Sequence, residues 1–377
     1  MGRYSVKGST VFETRLDNDF ERVICTLMDA DFDSVCLALV LIGGYGRGEG
    51  TPWIVGDRQE PFNDYDFVVV SMPMNRRRRC EVQARLRLLE QKLTQELGLP
   101  VDLQLYPANA LPCAEFSMLN YEMKHGHRVV WGDRKVLSAM PAYPHDRIPL
   151  SEGTRLLLNR GKLLLDVRRA LRSGRKLNDE ERLRFTKFLL KAQLAFGDSA
   201  LLISGAYDLK YTVKKERIRH GIADDVPDRA FLIERYLAAV ALKEWGDYSF
   251  LPDYPLEQEF ETVRAYYVRF LEWYEAARHR LESENPPAVA QESYPLPDRP
   301  PMWKNAFFNA LAFGASALRQ GTAFWRYHPR HRLYRALPLL LGDDASASET
   351  LARLFHLPAP GRDAAEERFY HLQKRFS

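Results

Sequence analysis

Two aspartates two residues apart, Asp64 and Asp66, are the side chains in this sequence best spaced for chemistry. They open the run Asp64-Tyr65-Asp66-Phe67-Val68-Val69-Val70. In an extended strand, residues i and i+2 project to the same side. Two carboxylates held side by side repel each other unless a cation lies between them. Their oxygens suit Mg²⁺, which takes carboxylates, water and substrate phosphates. A further aspartate, Asp102, stands in Val101-Asp102-Leu103-Gln104-Leu105-Tyr106. Apolar and polar residues alternate there, so Asp102 lies on the polar face. If that strand runs beside the Asp64 strand, three carboxylates converge. Such a set can hold two metal ions and activate an attacking hydroxyl. The alternative for Asp102 is a solvated strand residue.

A glycine-rich run, Gly43-Gly44-Tyr45-Gly46-Arg47-Gly48-Glu49-Gly50, precedes the two aspartates and follows the apolar stretch Val35–Ile42. Glycines let backbone N–H groups approach a phosphate closely. Arg47 could add a charge-assisted contact to it. Taken alone, such a run is equally a tight strand-to-helix connection; followed by a metal-binding pair, it points to a phosphate cradle.

The elements that must position these residues are legible in outline. A helix is expected near Asp19–Ala30, then a strand over Val35–Ile42, the glycine turn, and a polar loop through Pro61. Tyr65–Val70 is a second strand and Arg76–Leu97 a charged helix that ends at Gly98. Val101–Tyr106 is a third strand. After about Leu150 the pattern becomes long and helical. Asn178 and Glu181 form a capping box for a helix reaching Gly205. Further helices are expected near Arg229–Trp245, Leu256–Leu281 and Met302–Arg319, and the six prolines of Asn285–Pro301 read as a linker.

This combination resembles the DNA polymerase beta superfamily of nucleotidyltransferases, whose hallmark is a Gly-Gly or Gly-Ser turn, then Asp-x-Asp, then a third Asp on a later strand. The likeness covers roughly residues 35–135. It implies that Gly43 and Gly44 cradle a triphosphate, that Asp64 and Asp66 bind metal, and that Asp102 is the third carboxylate. It also implies ATP as the default donor and two Mg²⁺ ions. Two departures stand out. Gly44 replaces the serine whose hydroxyl would touch phosphate, leaving that contact to the backbone or to Tyr45. Gly50–Pro61 lengthens the usual gap, either as a lid in which Trp53 stacks on a base or as a surface insertion.

Other residues carry weaker signals. Lys191 is a lone cation in an apolar stretch, two helical turns from Asp198. Relatives of this type place a basic residue of the helical domain on the triphosphate, and Lys191 is the candidate for that role, a structural ion pair being the alternative. Arg76-Arg77-Arg78-Arg79 lies roughly 20 Å along the strand from Asp64 and reads as a solvated helix start. His125 and His127 have no companion ligands nearby and read as loop residues. From Met302 to Gly342 there is no Asp or Glu, yet Lys304, Arg319, Arg326, Arg330, Arg332 and Arg335 stand among Phe324, Trp325, Tyr327, His328, His331 and Tyr334. That segment either holds an anionic acceptor or packs on the body through its arginines.

Composition narrows the partners. The chain has 377 residues, 46% apolar and 28% charged, with a net charge of +4. Such a sequence buries a core, and its total charge does not argue for nucleic acid. No run of about 18 apolar residues exists to span a membrane, and no signal-peptide pattern opens the chain. Four scattered cysteines, Cys25, Cys36, Cys80 and Cys113, form no CxxC pair and fit reduced thiols in the cytoplasm. The expectation is therefore an α/β nucleotidyltransferase domain (1–145), a small mixed sheet with helices. A mainly α-helical C-terminal region follows, made of a helical domain (146–284) forming the other wall of a cleft, a linker (285–301) and a basic, aromatic-rich segment (302–377). The expected activity moves an NMP from an NTP to a hydroxyl, with a small-molecule acceptor favoured. Transfer to RNA or a protein side chain, or nucleotide binding without turnover, are the alternatives.

Overall fold

The computed structural model describes residues 2–282, 301–314, 328–344 and 346–376. Most of the expected linker, together with Arg319, Phe324, Trp325, Arg326 and Tyr327, lies outside them. The chain forms two compact units. One comprises Met1–Pro149, Gly205–Gly221 and Leu237–Pro252; the other comprises Leu150–Ser204, Ile222–Tyr236 and Asp253–Ser377. The first unit thus takes back two stretches that the sequence pattern leaves in the helical region. No described helix is long and apolar enough to cross a membrane.

The first unit is α/β. Helix α1 spans Thr10–Asp29, and the Ser9 side chain accepts the Phe12 N–H at its start. It begins earlier than its apolar pattern announces, because Asp19 sits on its inner face and accepts the Tyr65 hydroxyl at 2.7 Å. Phe12, Leu16, Phe20, Val23 and Leu27, three or four residues apart, form its buried stripe. Strand β1 (Cys36–Leu41) leads into a single helical turn, α2 (Gly43–Gly46). The expected polar loop is a hairpin, β2 (Pro52–Val55) and β3 (Arg58–Pro61), turning at Gly56-Asp57. Strand β4 (Tyr65–Ser71), helix α3 (Arg76–Leu97) and strand β5 (Val101–Pro107) form a β-α-β unit. Asn75 caps the start of α3, and Gly98 ends it in the left-handed region at φ 73°. Helix α4 (Met118–His125) and strand β6 (Arg128–Gly132) follow.

The sheet order is β5-β4-β1-β6, with β4 and β5 parallel and the other pairs antiparallel. Leu39, Leu41, Tyr65, Phe67, Val69, Leu103 and Leu105 share one core with the buried residues of α1 and α3. Among the described strands β5 borders only β4. Two of its remaining amides are met by α3 side chains instead. Val101 donates to Thr94 Oγ1 at 3.1 Å, and Leu103 donates to Glu90 Oε1 at 2.8 Å. Two later pieces complete the unit: helix α7 (Tyr211–His220) and the part of α8 (Arg229–Trp245) from Leu237 onward.

The second unit is helical. It contains α5 (Ser151–Arg172), α6 (Asp179–Ile203), α9 (Leu256–Glu282), α10 (Met302–Phe313), α11 (Pro329–Leu341), α12 (Ala347–Phe355) and α13 (Arg362–Phe376). The Asn178–Glu181 capping box starts α6. Tyrosines of α9 anchor α5 by donating to main-chain carbonyls, Tyr274 to Leu150 at 2.6 Å and Tyr267 to Leu157 at 3.1 Å. Arginines serve the other helix ends. Arg264 donates to Leu341 O, Arg168 to Leu340 O, Arg332 to Leu354 O, and Arg330 to Phe376 O. These bonds satisfy carbonyls that a helix C-terminus leaves without intrahelical partners.

Candidate active site

Sheet topology brings the glycine turn and the aspartates to one end of the sheet. Strand β1 runs antiparallel to β4, with Leu41 opposite Phe67, and the Ile42 N–H donates to the Asp66 carbonyl at 2.9 Å. The turn that follows β1 therefore lies beside the start of β4. Strand β5 runs parallel to β4 with Asp102 opposite Asp66. Tyr65 and Phe67 face the core, so alternation directs Asp66 to the opposite face, and Asp64 stands immediately before the strand. Residues paired across strands share a face, which puts Asp102 there too. Asp64 and Asp102 are exposed and Asp66 is half-buried.

The turn is shaped around one of these carboxylates. Gly43 has φ +66°, and a Cβ there would lie 2.5 Å from Asp66 Oδ2. Both the backbone angle and the neighbour exclude any side chain at this position. A Cβ at Gly44 would lie 3.3 Å from the Glu49 carbonyl and 3.5 Å from Lys243 Nζ. The amides of Gly46, Arg47 and Glu49 donate to Ile42, Gly43 and Gly44 within the turn. Those of Gly43, Gly44 and Tyr45 precede the first such bond, so α2 offers them no partner of its own.

Behind the turn lies a charged cluster that comes largely from distant sequence. Arg47 pairs with Glu122 at 2.6 Å and stands 3.9 Å from Glu49. The Tyr207 hydroxyl donates to Glu122 at 2.6 Å, and the Tyr211 N–H donates to Glu49 at 2.8 Å. Lys214 is 1% exposed, its Nζ 4.1 Å above the Tyr207 ring and 4.6 Å above the Tyr211 ring. Lys243 Nζ is 5.6 Å from the Tyr211 ring. Burial pushes the Glu49 carboxyl above its usual range, and Arg47, Lys243 and Lys214 only partly offset this. Burial acts on Glu122 in the same sense. There Arg47, then Lys214 and hydrogen bonds from Tyr207 and Arg47, outweigh it and hold the carboxyl below its usual range. Arg47, Lys214 and Lys243 thus gather with Glu49 and Glu122 beside the glycine turn.

The other residues singled out from the sequence are distributed as follows. Tyr45 is buried among Phe20 and Tyr65, and its hydroxyl accepts the Phe62 N–H at 3.2 Å. Tyr45 and Arg47 are thus built into the wall behind the turn, and the cation closest to Gly44 is Lys243. Lys191 is exposed on α6 in the helical unit, while Asp198 is buried and accepts the Tyr236 hydroxyl at 2.8 Å. Trp53, in the hairpin, packs on Phe62, which packs on Tyr248. The Arg76–Arg79 run is exposed at the start of α3, where Arg77 and Arg78 pair with Glu81. His127 bonds to the Lys124 carbonyl, and burial lowers its pKa. Arg332 and Arg335 are buried, 6% and 3% exposed.

Lys214 and Lys243 escaped the sequence reading. Lys243 ends the apolar run Leu237-Ala238-Ala239-Val240-Ala241-Leu242, the same kind of signal that drew attention to Lys191. Lys214 is flanked by the tyrosines that later sandwich it, but nothing local announces its burial.

Among the described residues, no three His, Cys, Asp or Glu side chains are grouped tightly enough to hold a metal ion. Mg²⁺ asks for less than such a cage, being held by one or two carboxylates together with water and substrate phosphate. The paired Asp66 and Asp102, with Asp64 just before the strand, fit that lighter requirement. No model of a known protein family matches the chain, and no curated protein resembles it in sequence.

Proposed function

We propose that the α/β unit is a Mg²⁺-dependent nucleotidyltransferase that moves an NMP, AMP by default, from an NTP to a hydroxyl group. The observation that carries this reading is the end of the sheet. The turn at Gly43 is moulded to the Asp66 carboxylate, Asp102 stands opposite Asp66, and Lys243 lies against Gly44. A triphosphate would lie along Gly43 and Gly44, its charge answered by the amides at the start of α2 and by Lys243. One or two of the carboxylates of Asp64, Asp66 and Asp102, with water and substrate phosphate, would hold the metal, which when bound neutralises charge on the attacking and leaving oxygens. Asp102, exposed on the edge strand, takes the proton of the acceptor hydroxyl. The acceptor oxygen forms its bond to the α-phosphorus as the bond to the β-phosphate oxygen breaks, and pyrophosphate leaves. The protein contributes chiefly position. The moderate net charge favours a small-molecule acceptor over RNA.

The lack of a tight three-residue metal group among the described residues favours a second reading, a module that binds nucleotide without turning it over. Incubation with labelled NTPs and Mg²⁺ separates the two. Pyrophosphate release or labelled acceptor from the wild type, absent from Asp66→Asn, supports the transferase. Tight NTP binding without pyrophosphate release, across a panel of hydroxyl acceptors, supports the binding module.

A further inference from the structure

Within the helical unit, α5, the α5–α6 connection, α6 and α13 line an open cavity of about 510 Å³, a volume typical of small-molecule sites. Its lining includes Asp166, Arg169, Arg175, Arg184, Phe188 and Tyr370. The charges fall into two classes. Asp166 accepts the Tyr370 hydroxyl at 2.8 Å and pairs with Lys162 at 2.7 Å. Arg175 is bound through both terminal nitrogens by Glu181, at 2.7 and 2.5 Å. These two pairs are internally neutral. Arg169 and Arg184 have no ion-pair partner among the described residues. Arg169 lies 4.7 Å over the Tyr370 ring and Arg184 lies 5.0 Å over the Phe185 ring. A guanidinium laid against an aromatic ring is held in orientation while its N–H edge stays available to a planar or tetrahedral oxyanion.

The cavity therefore offers two exposed guanidiniums, with Glu366 and Glu181 in their neighbourhood but in no direct ion pair with them, beside the half-buried rings of Phe188 and Tyr370. A phosphomonoester carries about −1.5 to −2 at neutral pH, and its oxygens suit two such guanidiniums. A neighbouring cavity of about 250 Å³ shares Arg169 and Ser173 but differs in charge, because Asp363, Glu366 and Glu367 line it with Arg172. It offers no comparable anion site.

We propose that the larger cavity binds a phosphomonoester carried on an aromatic ring system, with a nucleoside monophosphate as the simplest case. Phosphate engages Arg169 and Arg184, and the ring packs against Phe188 and Tyr370. This site lies wholly in the helical unit and does not depend on the transfer reaction proposed for the α/β unit.

Titration calorimetry on the full chain tests it with AMP, adenosine and inorganic phosphate. AMP is expected to bind, and adenosine and phosphate each to bind at least tenfold more weakly. Arg184→Gln and Arg169→Gln each remove one charged contact and are expected to weaken AMP roughly tenfold or more. Ala170→Phe fills the cavity without changing charge and is expected to abolish binding. Asp66→Asn should leave this binding intact. A 5′-phosphorylated trinucleotide is titrated in parallel; tighter binding than AMP would identify a nucleic-acid end as the natural source of the phosphomonoester. Three outcomes would overturn the proposal: AMP binding lost in Asp66→Asn but kept in Arg184→Gln, binding unaffected by Ala170→Phe, or inorganic phosphate binding as tightly as AMP. Circular dichroism of each variant distinguishes lost binding from lost fold.

Discussion

The glycine-turn end of the sheet and the arginine-rich interior of the helical unit both concentrate charge, and they use it in opposite ways. In the helical unit the guanidiniums of Arg168, Arg264, Arg330 and Arg332 end on main-chain carbonyls. At the sheet end, Asp64 and Asp102 are exposed at the starts of strands, positioned by register. A charge that terminates on the backbone belongs to the fold. A charge held at the surface by register, with glycine backbone beside it, is available to something arriving from solution.

The largest expected effect that sharpens this contrast is at Asp66. Asp66→Asn should lower turnover by about a hundredfold to a thousandfold, the scale seen when one group stabilising transition-state charge is removed. Its melting temperature should stay at the wild-type value. Pyrophosphate release and thermal melting measure the two sides, and a melting temperature that falls with the rate would place Asp66 among the structural charges. The converse is expected in the helical unit. Arg330→Ala and Arg332→Ala together should cost about 3 kcal/mol of stability through lost charged hydrogen bonds, with activity falling only in proportion. Retained stability with lost acceptor-dependent activity, and a flattened salt dependence, would instead make α11 an acceptor platform.

A third, smaller effect concerns the cation beside the turn. Lys243→Ala should weaken NTP binding roughly tenfold and NMP binding less, because in the proposed reading it is the triphosphate tail that it meets. Lys191→Ala is the matched control. If it rather than Lys243→Ala weakens NTP selectively in calorimetry, the assignment of the triphosphate cation reverts to α6.

The smallest effect is a pair of opposite pH dependences inside the charged cluster. Glu122 has a folded pKa below its unfolded value of about 4.3. The stability it contributes is full above that value and is lost as pH falls through the folded pKa. Glu49 is raised by burial, so its contribution is present below about 4.3 and is lost as pH rises through its folded pKa. Glu49→Gln should therefore raise stability slightly at pH 7, by less than about 1 kcal/mol, whereas Glu122→Gln should lower it. Melting curves from pH 3 to 8 would show the two variants departing from wild type in opposite directions; parallel departures would refute this account of the cluster.

What could be read from the sequence was what is decided locally. The strand bearing Asp64 and Asp66, the start and stop of α3, and the Asn178 capping box follow from alternation, caps and a left-handed glycine, all short-range rules. The hairpin at Gly56-Asp57 was equally local, since a Gly-Asp turn after Trp53-Ile54-Val55 is a hairpin signal, but the surrounding polar residues masked it. The early start of α1 was hidden by Asp19, whose burial makes sense only once Tyr65 is opposite it. The charged cluster was out of reach for a different reason. Lys214 and Lys243 come to Glu49 and Gly44 from well over a hundred residues away, and no periodicity encodes such a meeting.

The open edge of β5 has a dynamic consequence. Asp66 sits on a strand laced to neighbours on both sides, whereas Asp102 rides on one that borders a single described strand and has two outer amides held by the side chains of Thr94 and Glu90. Side-chain latches open more readily than a strand ladder, so β5 should be among the first parts of the sheet to exchange its amide hydrogens with solvent. Of the three aspartates, the one proposed to meet the acceptor is thus mounted on the part most able to breathe, while the turn proposed to grip the donor is fixed to the centre of the sheet. Under the transfer reaction proposed above, such a mounting would hold the nucleotide strictly and admit a wider range of acceptors.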